Sequence, residues 1–462
     1  MRVTWAQPED LLRQELAQSA DEGRDVRDVQ RRWVAAGGAV GPLAAGASPD
    51  PVGPAQVALA RELLDELDAL PTPTAADEPS DWEGIRALSR SKGASTRSAP
   101  MDLPPTPGRS ALRDRIYGAW LGRAVGCVLG KPVEKIPRAG IEEILRSQGR
   151  WPLDRWFTAV GLDPEVAARW PWNQASRPTS LEENLDGTPE DDDLNYTLLA
   201  LKILEQHGAD FTSDDVARAW LLDLPAGRTF TAERVAYRNL LDGYLPPETA
   251  RVRNPFREWI GAQIRTDLYG WVNPGDVLRS VEWACRDAAV SHTRNGIYGA
   301  MYAAALGASA VVADRIEDVL DAAASVVPPA SRLARAITLG RELADAGTEP
   351  TTAYARLEEE FAHLHWVHTL NNAALLTYGL AAGGGDFDRT ICLTVMGGWD
   401  TDSCGATAGA VAGALGGPGA IAERWSAPLR NRLTTSIPGL NGLSFDVVTE
   451  RTLAVYDRVR GT

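Results

Sequence analysis

Two acidic clusters, Glu190-Asp191-Asp192-Asp193 and Asp400-Thr401-Asp402-Ser403, hold the densest chemical potential of the chain. Adjacent carboxylates repel, so such clusters call for a helix to cap, water, or a cation. Asp and Glu at a helix start accept backbone N–H bonds, and the helical run that follows Asp193 makes capping the plain reading of the first cluster. The second has a polar turn as its plain reading. It follows Gly397-Gly398-Trp399, however, and leads into a stretch almost free of charge, Gly405 to Ala422. Solvation alone explains that placement poorly. Oxygen donors from two remote segments suit a hard divalent ion, Mg²⁺ or Ca²⁺, better than zinc. Asp191, Asp192, Asp193, Asp400, Asp402 and the Ser403 hydroxyl together suffice for two such ions, with water filling the remaining positions.

Other reactive residues are sparse. Glu134 ends the run GRAVGCVLGKPVE, where surface exposure and a site role both remain open. His363, His365 and His368 are spaced so that no single helical face presents all three. His292 falls between two helical stretches, placed to contact a ligand. No nucleophile elbow, P-loop or HExxH motif occurs.

The elements that must position these groups read as helices. Apolar residues recur at helical spacing in LRDRIYGAWLGRAVGCVLG, DLNYTLLALKILEQHG and GIYGAMYAAALGASAVVA, among others, with no βαβ rhythm and no fixed repeat. The expectation is an all-α fold. Residues 1–88 carry amphipathic helices of unassigned role, 89–110 form a Ser/Pro/Gly-rich linker, and 111–462 form the main domain. Between Glu134 and Asp191, Trp151, Trp156, Trp170 and Trp172 suit packing or a lid. The Gly/Ala-rich stretch from 403 to 422 holds few large aliphatics and one proline, so it reads as a helix closely approached by another rather than a membrane span. Net charge is −15 over 462 residues, which disfavours nonspecific binding to nucleic acid or anionic membranes. Four scattered cysteines and the lack of a leader-like start fit a cytoplasmic protein with free thiols.

From about Ala111 onward the chain resembles the ADP-ribosylglycohydrolase (ADP-ribosyl-acceptor hydrolase) family. The matching segments, in family order, are WLGRAVGCVLGKPVE (Trp120 to Glu134), DDDLNY (Asp191 to Tyr196), GAQIRTDLYG (Gly261 to Gly270), SHTRNG (Ser291 to Gly296) and GGWDTDS (Gly397 to Ser403). The resemblance implies a compact orthogonal multi-helix domain with a binuclear Mg²⁺ centre, Mn²⁺ being a substitute. Its metal ligands would be Asp191, Asp192, Asp193, Asp400, Asp402 and Ser403. Catalytic roles would fall on Glu134, Asp192 and Asp402, and substrate contacts on Gly261, Arg265, His292, Asn295, Gly398 and Trp399. The implied activity is hydrolysis at ribose C1 of an ADP-ribosylated protein, small molecule or nucleic acid, releasing ADP-ribose. A simpler riboside, or a non-catalytic role on the same fold, stays open, as does the oligomeric state. The sequence departs from the family pattern at Asp191 and Leu194, where Thr is usual, at Cys127, where Asp is usual, and at the inserted Trp399. Glu190 competes with Asp191 for the Thr position.

Overall fold

Helical periodicity produces helices nearly throughout the computed structural model, which describes residues 2–41, 46–91 and 103–460. Among them are two isolated β-bridges, Thr188 with Leu433 and Trp259 with His368, and no longer strand. The fold is all-α.

At its centre lie two helices of small residues, α5 (Arg109–Gly130) and a second, Thr401–Gly416, both buried over most of their length. Glycines spaced four apart place bare backbone on one face of each. Gly118, Gly122 and Gly126 meet Gly413, Gly409 and Gly405, and a Cβ at Gly122 would overlap the Gly409 carbonyl oxygen. Two helices can approach this closely only without side chains between them. The helices run oppositely, so the C-terminal end of α5 reaches the N-terminal end of the other. There the Thr401 hydroxyl donates to the Gly130 carbonyl at 2.8 Å. A third helix, Arg294–Ala310, is buried all round, as the apolar run that follows its first two residues requires. No helix among the described residues is long and apolar enough to cross a membrane. All four cysteines are free and buried.

The N-terminal residues form α1 (Pro8–Asp21), α2 (Arg27–Ala35), α3 (Pro54–Ala69) and α4 (Trp82–Ser91). They bury their own apolar stripe, including Leu12, Trp33, Leu63 and Leu67. They also dock on the larger part of the chain through ion pairs. Arg257 bonds Glu15 at 2.6 Å and Glu22 at 2.7 Å, Arg332 bonds Glu78 at 2.8 Å and Asp21, and Arg294 pairs with Glu22. Residues 92–102 of the expected linker lie outside the described residues; α4 runs on to Ser91, and α5 begins at Arg109.

Candidate metal centre

Asp191 is the N-cap of the helix Asp192–His207, its Oδ1 accepting from the Asp193 N–H at 2.9 Å. The capping expected of an acidic helix start is therefore present, but it engages one of three aspartates. Lys131, on the turn leaving α5, donates to Asp191 Oδ2 and to the Glu190 carbonyl at 3.2 Å. Burial opposes the charge of both partners; their mutual attraction outweighs it, holding the Asp191 carboxyl below and the Lys131 ammonium above the usual range. Asp193 points inward, where Arg123 bonds its carbonyl and brings Nη2 to 3.7 Å from Oδ1.

The second cluster closes on the first from the opposite helix end. Ser403 Oγ donates to Asp193 Oδ2 at 3.3 Å, joining the clusters directly. Oxygens of Glu134, Asp400 and Asp402 lie within 4.8 Å of one another, and ligand atoms of Cys127, Asp191 and Asp193 form a second group of that size. Asn173 donates to Glu134 Oε2, and Lys135 Nζ stands 3.3 Å from Oε1. Burial, then the neighbouring aspartates, push Asp192, Asp193 and Asp400 well above the carboxylate range; Asp402 is raised by burial and Asp191. Burial and Asp402 push Glu134 up to about 7. Crowded, desolvated carboxylates with an oxygen-only outer face form a donor set that fits a hard cation.

These groups form the floor of a cavity of about 290 Å³. Its walls are mixed: Phe230, Ile260, Trp366 and Trp5 supply apolar surface, while Asn173, Lys135 and Arg228 supply donors. Trp5 comes from the N-terminal segment and packs edge-on against Phe256 and Trp259, centroids 5.4 and 5.9 Å away.

Of the residues expected at the site, Glu134, Asp191, Asp192, Asp400, Asp402, Ser403 and Gly261 line this cavity, and Asp193 lies directly beneath. Arg265, His292 and Asn295 do not. Arg265 is fully buried behind the wall, bonding Glu233 at 2.7 Å and pairing with Asp287. His292 is held by Ser291 at 2.8 Å through Nδ1, its Nε2 4.0 Å from Glu233. Asn295 bonds Glu258 and the Leu333 N–H. Arg265 and Asn295 are buried polar groups taken up by internal partners and His292 is buried with Nδ1 held by Ser291, a placement that spacing in a motif does not reveal. Gly398 and Trp399 shape the turn before Asp400, both at positive φ. Trp399 leans edge-on against Phe361 rather than on the cavity wall.

Unanticipated residues take those places. Glu233 lines the cavity, pushed up to about 7 by burial against the pull of Arg265. Gly261 admits it, since a Cβ there would overlap the Glu233 carboxylate. Tryptophans 151, 156, 170 and 172 lie off the wall, Trp156 packing on Trp425 and Trp172 on Phe157. Lys131 was readable as the one cation inside the GKPVE run, whereas Trp5 and Trp366 carried no signal.

The family model described as ADP-ribosylglycohydrolase matches residues 108–455. The chain belongs to the ADP-ribosylglycohydrolase family. Membership makes it a hydrolase of a family that acts on ADP-ribosylated substrates and is generally metal-dependent. Among solved structures it is similar to an "ADP-ribosylglycohydrolase-related protein complex" at 22% identity, with a TM-score of 0.41, covering 76% of this chain and 99% of that one. No curated protein gives a significant match.

Proposed function

We propose that this ADP-ribosylglycohydrolase family member is a Mg²⁺-dependent glycosidase that hydrolyses the ribose C1 bond of an ADP-ribosylated substrate and releases ADP-ribose. The observation that carries the reading is the convergence of Glu134, Asp192, Asp400 and Asp402 on the floor of one cavity with aromatic and basic walls. A divalent ion bound there would supply Lewis-acid stabilisation of oxygen charge and a more acidic water. Asp192, Asp400, Asp402 and Ser403 offer the oxygens that would hold it.

The chain's own residues then act as follows. Cleavage at ribose C1 passes through an oxocarbenium-like state, in which the C–N or C–O electron pair leaves with the acceptor group. Water adds to C1, and one of its protons must go to a base; the Asp192 and Asp402 carboxylates face the cavity for that purpose. Glu134, with its pKa near neutrality and Asn173 holding Oε2, is set to share a proton with a ribose hydroxyl or the leaving group. Trp5 and Trp366 offer flat faces for a base, and Arg228 and Lys135 offer charge for a pyrophosphate.

The deciding experiment combines ADP-ribose release from peptides and nucleic acid modified at different acceptors with thermal melting in ADP-ribose or a free nucleoside. Release that stops in EDTA and returns with Mg²⁺, with stabilisation by ADP-ribose, is expected. Stabilisation by the nucleoside alone moves the substrate to a simpler riboside, and release unaffected by EDTA overturns the metal-dependent reading.

A further inference from the structure

The charges around the acidic centre are distributed unevenly between its two halves. In the half made by Cys127, Asp191 and Asp193, Asp191 is paired with a buried ammonium, whereas Asp193 Oδ1 has no hydrogen-bond partner and lies 3.7 Å from the nearest guanidinium nitrogen. Both oxygens of Asp191 are already engaged: one caps the helix, and the other takes the Lys131 ammonium. Asp193 lies against Arg123, which is fully buried and also paired with Asp267 at 2.9 Å. Two built-in cations are thus shared among Asp191, Asp193 and Asp267, and the third member of the group, Cys127, is a buried thiol that adds no negative charge. In the other half, Glu134, Asp400 and Asp402 converge without an ion pair to a buried cation among the described residues, Lys131 reaching Asp402 only through space. Lys135, whose ammonium pairs with Glu134 and lies over the Trp366 ring, is more than half exposed.

We propose that Lys131 takes the place of one metal ion, so that the centre binds a single divalent cation on the Glu134–Asp400–Asp402 side. This departs from the binuclear centre that the family resemblance implies, and it rests on the metal-dependent reading of the site. The physical argument is charge balance. An ammonium seated on Asp191 supplies a fixed positive charge at that position, and a divalent ion placed beside it would meet like charge while the single negative charge of Asp191 is already offset by Lys131. Lys131 is buried, and the Glu190 carbonyl accepts from its head at 3.2 Å. It is therefore a built part of the floor.

The test is a count of bound metal, with no catalytic readout. The full chain, stripped with EDTA and equilibrated with excess Mn²⁺, is passed over a desalting column. Mn²⁺ per chain is then measured by plasma emission, and paramagnetic resonance distinguishes an isolated ion from a spin-coupled pair. One ion per chain with an isolated-ion spectrum is expected for the wild type. Lys131→Met, which keeps the stem and removes the charge, is expected to bind two ions with a coupled spectrum. Two coupled ions in the wild type overturn the proposal even if Lys131→Met fails to fold, and they leave the hydrolase reading intact. A single ion in a folded Lys131→Met overturns the role of Lys131. No ion in the wild type overturns both this proposal and the metal-dependent reading.

Discussion

Asp402 couples the centre at the scale of single residues. Its charge is among those that raise Glu134, Asp192, Asp193 and Asp400. Without a cation, these carboxylates strain the folded chain. Asp402→Asn removes one charge at nearly constant shape, so two opposite outcomes are expected. Turnover should fall by about 100-fold or more, the usual scale for losing a positioned proton acceptor or ligand, and bound Mn²⁺ should drop. The metal-free variant should melt at or above the metal-free wild type, because repulsion has been relieved; a lower melting point contradicts the electrostatic account. The acidic residues were legible in the sequence because carboxylates beside apolar runs need a reason. Arg265, His292 and Asn295 were legible only as motif members. Their burial behind Glu233 and Glu258 depends on contacts from distant segments that no local pattern encodes.

Among the elements, the glycine-lined crossing of α5 with the helix Thr401–Gly416 sets the spacing between Glu134 and Asp400–Ser403. The four-residue spacing of small residues already indicated a closely approached helix. It did not indicate which helix approaches, since a surface of bare backbone carries little partner information. Gly126→Ala places a methyl group against the Gly405 carbonyl. The helices must separate, and the Thr401–Gly130 hydrogen bond at the site end stretches with them. Overpacking of this kind costs about 1–3 kcal/mol. Denaturant titration should show a loss of that size, and Mn²⁺ titration should show weaker binding. Gly419→Ala, where a Cβ meets open space, serves as the control and should change neither.

At the scale of the whole molecule, the N-terminal segment reaches the cavity through Trp5, and its helices pack on the larger part of the chain. The sequence left docking on the main domain, binding a partner and oligomerisation all open for these helices, because the ion pairs that dock them link residues more than 200 positions apart, Glu15 and Glu22 to Arg257, for instance. Trp5 is the part that reaches the cavity, its backbone N–H donating to the Gly46 carbonyl at 2.7 Å. Base stacking on an aromatic ring is worth about 1–3 kcal/mol. Trp5→Ala should therefore raise KM for an ADP-ribosyl substrate by roughly tenfold or more at that scale, leaving bound metal unchanged; an unaltered KM removes Trp5 from the substrate face. Glu258 joins the two parts. It accepts from Gln18 at 2.9 Å and from Arg332 at 2.8 Å, two residues before cavity-lining Ile260. Burial opposes its charge, but Arg332 and Arg294 prevail and hold it at about 2, below its ordinary 4.5. A lowered carboxyl stabilises the fold fully above the ordinary value, and that stabilisation is lost as pH falls through the depressed one. Glu258→Gln should thus melt below the wild type by a margin that is widest above pH 4.5 and narrows as pH approaches about 2. A margin independent of pH would mean that Glu258 contributes through shape rather than charge, and that the joint between the N-terminal helices and the cavity wall is not electrostatic.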